Sequence, residues 1–127
     1  MQSVSRSVLV ALGSGLLAIA LPAAAHHSFA MYDQTKEQTI EGTVKEYQWT
    51  NPHAWIFVNV AGSDGKVAEY GIELTSPNLL MRRGWRPSTL KTGDKVTVVL
   101  NPLRDGTPGG KIVSVTMSDG KVLTERG

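Results

Sequence analysis

Apolar and polar residues alternate from Thr39 to Trp49, with Ile40, Gly42, Val44 and Glu46 on one side and Thr43, Lys45 and Tyr47 on the other. Period-two alternation with β-branched and aromatic residues predicts a strand. Thr50-Asn51-Pro52 breaks it, because proline cannot donate to a β-ladder. Ala54 to Val60, AWIFVNV, is apolar enough for a central second strand. Gly62-Ser63-Asp64-Gly65 predicts a hairpin loop into a third strand, Lys66 to Leu74. The stretch Ser76 to Gly84 then changes character. Ser76 suits a helix cap, Pro77 the first helical position and Gly84 the end, so a helix of about two turns is expected, with Leu79 and Leu80 as its short apolar side. Lys95 to Leu100 and Lys111 to Met117 predict the fourth and fifth strands. Between them, Asn101 to Gly110 reads as a loop rich in proline and glycine, and Lys121 to Leu123 as a short tail.

Three strands, a short helix and two strands is the order of a five-stranded oligonucleotide/oligosaccharide-binding (OB) barrel. An all-β, OB-like barrel over residues 39–123 is therefore expected, with residues 124–127 as a tail. A long first strand with Gly42 near its middle suits the bend such a strand makes across two sheets. An antiparallel sandwich of similar strand count is the rival architecture.

The chain before this domain has another pattern. Arg6 precedes Val8 to Leu21, which is apolar apart from glycine and serine, and Pro22 and Ala23-Ala24-Ala25 follow. A positive start, an apolar centre and a small-residue cleavage site make residues 1–25 a signal peptide on this reading. The apolar centre is shorter than the roughly 20 residues a helical membrane span needs. A protein released to the periplasm or secreted is expected, soluble after cleavage, with residues 26–38 as an irregular lead-in.

Composition narrows the chemistry. A formal charge of +2 on 127 residues gives no broad basic surface for nucleic acid. The absence of cysteine excludes disulfides, thiolate zinc sites, iron–sulfur clusters and a cysteine nucleophile. No G-x-S-x-G, H-E-x-x-H, P-loop or G-x-G-x-x-G pattern occurs, no residue is assigned a catalytic role, and a binding protein is expected rather than an enzyme. Glu73 is expected as an ion-pair partner near Asn78 and Arg83.

Three histidines remain as metal ligands: His26, His27 and His53. Cleavage after Ala25 makes His26 the N-terminus, whose α-amine and imidazole chelate one metal together. A second imidazole from His53 completes a three-nitrogen set suited to copper, with His27 either a ligand or a neighbour turned away. Cleavage after Ala23 leaves Ala24-Ala25-His26, itself a chelating terminus. A second constellation, Trp49, Asn51, Trp55, Arg82, Arg83 and Trp85, points to a metal-independent surface for a small molecule or an envelope protein. Trp55 in its strand and Trp85 after the helix are also expected as core and lid residues that plug the barrel bottom.

The segments AHHSFAMYD, EGTVKEYQWTNPHAWIFV, SPNLLMRRGW and LKTGDKVTV together resemble a family of small exported bacterial proteins classed as a domain of unknown function. The likeness spans about residues 25–123. It implies an exported barrel with no assigned activity, and it groups His26, His27 and His53 as signature positions without giving them a role.

Overall fold

The computed structural model describes residues 29–126; the expected signal peptide, His26 and His27 lie outside them. Six strands form one sheet: β1 (Gln38–Gln48), β2 (Trp55–Ala61), β3 (Val67–Glu73), β4 (Lys95–Pro102), β5 (Gly109–Met117) and β6 (Val122–Thr124). A short helix, α1 (Pro77–Arg82), lies between β3 and β4. The sheet order is β3-β2-β1-β4-β5-β6, and β3 also pairs with β5 in parallel. That pairing closes the first five strands into a barrel, the expected OB-like architecture rather than a sandwich.

β1 bends as its role demands. Residues Gln38 to Thr43 pair with β4, and Thr43 to Gln48 pair with β2. A Cβ on Gly42 would stand 2.3 Å from the Asn59 carbonyl oxygen, so only glycine allows β2 this close at the crossing. The simple alternation fails beyond that point. The register shifts between Val44 and Glu46, with Lys45 as the extra residue of a bulge. Ile40 and Val44 face the core before the bulge; after it Tyr47 packs on the core and Glu46 is exposed. One inserted residue reverses which face each later side chain occupies.

Three other expectations are corrected. Asn101 to Gly110 is not all loop, because Asn101 and Pro102 finish β4 and Gly109 and Gly110 begin β5. Pro102 sits at the strand's end, where its carbonyl oxygen accepts from the Asp33 amide at 2.8 Å. The chain end is not a loose tail either: Thr124 belongs to β6, and Leu123 and Glu125 are buried. In α1, Ser76 stands at the N-cap without a side-chain hydrogen bond, and Leu79 is exposed.

The barrel interior is filled by Ile40, Val44, Ile56, Val58, Ile72, Val96, Val98, Leu100, Ile112 and Val115. Leu80 of α1 and Trp85 join this core fully buried, and the Trp85 Nε1–H donates to the Thr124 carbonyl oxygen at 2.9 Å. Trp85 is thus the expected plug, with its one polar atom satisfied, whereas Trp55, expected beside it, is only half-buried on β2.

Candidate functional site

The polar centre of the molecule lies where the barrel closes. Glu73, the last residue of β3, is in register with Lys111 of β5. Its neighbours Ile72 and Leu74 belong to the core, so strand alternation turns Glu73 outward. The carboxylate is nevertheless only 2% exposed. The N-terminal segment covers it: Tyr32, also buried, donates its hydroxyl proton to Glu73 Oε2. Glu73 Oε1 pairs with Nδ1 of His53. A carboxylate oxygen accepts, so this contact favours the tautomer with the proton on Nδ1.

Each member is held in place by backbone structure. His53 stands just before β2, where Ala54 exchanges hydrogen bonds with the segment that follows β3: its amide donates to Thr75 O at 3.2 Å and its carbonyl accepts from the Leu74 amide at 2.9 Å. The Thr50 hydroxyl donates to the His53 carbonyl oxygen at 3.0 Å. The lead-in is not irregular chain adrift from the barrel. A short 3₁₀ turn, Phe29–Met31, precedes a bridge between Tyr32 and Leu103. Arg104 donates to Met31 O through its amide at 3.0 Å and to Ala30 O through Nε at 2.9 Å. Asn101 Nδ2–H donates to Lys36 O at 2.8 Å.

A second buried pair adjoins this one. Lys111 Nζ donates to Glu125 Oε2 at 3.0 Å, and the same oxygen accepts from the Thr75 amide at 2.7 Å. The Tyr32 phenol feels both carboxylates. Burial pushes its pKa well above the ordinary tyrosine value, and the hydrogen bond to Glu73, the charge of Glu73 and that of Glu125 push the same way. Among the described residues every buried side-chain nitrogen and oxygen has a partner. This is the satisfied state that a buried polar cluster requires.

The histidine–carboxylate pair resembles the outer-shell arrangement of metal-ligating histidines, whose second ring nitrogen commonly donates to a carboxylate. The described residues contain no group of three His, Asp or Glu side chains able to hold a metal by themselves. The remaining sequence-derived residues have different surroundings. Trp55 stacks with Phe57 on β2 at 6.3 Å between centroids, while Trp49 meets Tyr47 edge-on at 5.8 Å. Trp85 is buried beyond reach of a ligand; Asn51, Arg82 and Arg83 are exposed. Glu73 is paired with His53 and Tyr32, not with Arg83.

Sequence reasoning missed Tyr32, Lys111 and Glu125. Lys111 carries a faint signal, a lone charge at the head of the apolar run KIVSVTM. Tyr32 carries none, since its partner is 41 residues away in the chain.

A family model described as a family of unknown function, DUF6152, matches residues 13–112. No curated protein and no solved structure matches the chain.

Proposed function

The chain belongs to that DUF6152 family, which carries no assigned activity, and from its own residues we propose that it is an exported copper-binding protein whose metal is held by His26 at the processed N-terminus and by His53. The observation that carries this reading is the Nδ1 bond from His53 to the buried Glu73. A carboxylate there fixes the tautomer, orients the ring and makes Nε2 a better donor to a metal. The docked lead-in supports a second ligand from the N-terminus. Tyr32 is tied to the same carboxylate, and His27 precedes Phe29 by two residues, a span of at most about 7 Å. The α-amine and imidazole of His26 with Nε2 of His53 form an all-nitrogen set, which favours Cu(II) in a chain without cysteine. His27 serves beside them as a further ligand or as a neighbour.

Export follows from the pattern of residues 1–25 and supplies the free N-terminus the site needs. The test is calorimetric titration of Cu(II) into protein whose N-terminus is verified by mass. One Cu(II) per chain is expected, bound at least tenfold more tightly than by a peptide of the same N-terminal residues, with that advantage lost in His53→Ala. Peptide-like affinity, or no change in His53→Ala, overturns the reading.

A metal-independent role as a small-molecule or protein-interaction module draws on the Trp55–Phe57 stack of β2, whose Phe57 is in register with Gly71 of β3, a residue without a side chain. It predicts quenching of tryptophan fluorescence by a ligand without metal and a silent His26→Ala.

A further inference from the structure

The charges of this near-neutral chain are unevenly spread. From Leu74 to Gly93 the sequence holds Arg82, Arg83, Arg86 and Lys91 and no acidic residue. The structure gathers three of these cations at one place. Arg82 ends α1, Arg83 caps it, and the Arg86 guanidinium is pinned beside them through Nη1 to the Met81 and Trp85 carbonyl oxygens, at 2.9 and 2.6 Å. None of the three arginines forms an ion pair with a described residue, whereas Lys36, Lys45, Arg104 and Lys111 all do. The same helix presents two large apolar side chains to solvent, Leu79 at 42% and Met81 at 43% exposure. Its inward side, Pro77 and Leu80, is buried, so α1 is fixed to the barrel, while Asn78, Leu79, Met81 and Arg82 are exposed.

From this surface we infer that the α1 face docks on an anionic phospholipid bilayer. Uncompensated arginines beside exposed apolar tips match the two layers such a membrane offers, phosphate headgroups above and acyl chains just beneath. The guanidinium fork suits phosphate oxygens. Single-stranded nucleic acid fits less well, because it is held by exposed aromatic rings as well as charge, and the tryptophan of this region, Trp85, is fully buried. The surface belongs to α1 and the loop after it, and it stands independently of any metal at His53.

The test is sedimentation of the exported chain with vesicles of equal parts phosphatidylglycerol and phosphatidylcholine, against vesicles of phosphatidylcholine alone. Binding only to the anionic vesicles, weakening as salt rises, is expected. The double variant Arg82→Gln/Arg83→Gln should bind about thirtyfold more weakly, given what each basic side chain gains at an anionic surface. Leu79→Ser/Met81→Ser should bind several-fold more weakly with its salt dependence intact. Lys66→Gln, at the far end of β3 in the β2–β3 hairpin, should leave binding unchanged. All these side chains are exposed, so the variants fold, and all share the same N-terminal segment, so their differences report on this face alone. Equal binding to both vesicle types, equal loss in Lys66→Gln, or retention on single-stranded DNA without vesicle binding overturns the inference.

Discussion

Glu73 accepts a hydrogen bond from a phenol on one oxygen and meets an imidazole on the other. Glu73→Gln keeps the shape and removes the charge. The amide offers one acceptor where two were used, so His53 loses its fixed tautomer. Copper affinity should fall about 10- to 100-fold, the usual cost of an outer-shell change, as read by competition titration. Tyr32 makes a pH prediction. Burial above all, then Glu73 and Glu125, raise its phenol pKa in the folded protein. Below about pH 10 the phenol is protonated in both states. Above it, the unfolded chain loses the proton and the folded chain keeps it, so unfolding releases a proton and stability falls as pH rises. Tyr47, raised by burial, acts in the same direction. Tyr32→Phe should therefore lessen the alkaline loss of stability in urea titrations at pH 9 to 11 without abolishing it. An unchanged alkaline slope would mean that Tyr32 is not held protonated by this cluster.

At the level of elements, glycine decides how closely strands approach. A Cβ on Gly110 would stand 2.2 Å from the Asn101 carbonyl oxygen, a backbone atom that cannot step aside without breaking the β4–β5 ladder. Gly110→Ala should destabilise the fold by about 1–3 kcal/mol, the range of overpacked sites, measured by chemical denaturation. The same position shows where sequence reading fails. Asn101 to Gly110 looks like a loop because proline and glycine usually punctuate, yet here they end one strand and open the next. Strands β2 and β3 and helix α1 were legible because alternation, Pro77 and Gly84 speak locally. The phase of β1 past Lys45 was not, since the bulge is set by how β2 pairs with it. Nor was the strand character of β6, three residues long and dependent on β5 for all its pairing.

For the whole molecule, closure is the organising event. The β3–β5 pairing shuts the barrel, α1 and Trp85 stopper it, and the N-terminal segment and Glu125 cover the polar seam outside. Trp85 ties that stopper to β6 through Thr124. Trp85→Ala should cost about 3–5 kcal/mol in thermal or denaturant unfolding; a smaller loss would show that the barrel end closes without it. The barrel itself was readable from element order. His53 was readable as a candidate ligand because histidine is scarce in this chain. Its setting was not, because Glu73 and Tyr32 reach it only through closure and the docking of the lead-in, contacts that leave no periodic trace. The copper site proposed for this molecule is shared by the processed N-terminus and His53. Native mass spectrometry of the chain recovered from the exporting cell, supplied with copper, decides whether that site exists. The predicted species starts at His26 and carries one copper ion that His53→Ala fails to retain. A chain that begins elsewhere and binds no copper, or a His53→Ala chain that keeps it, would rule the site out.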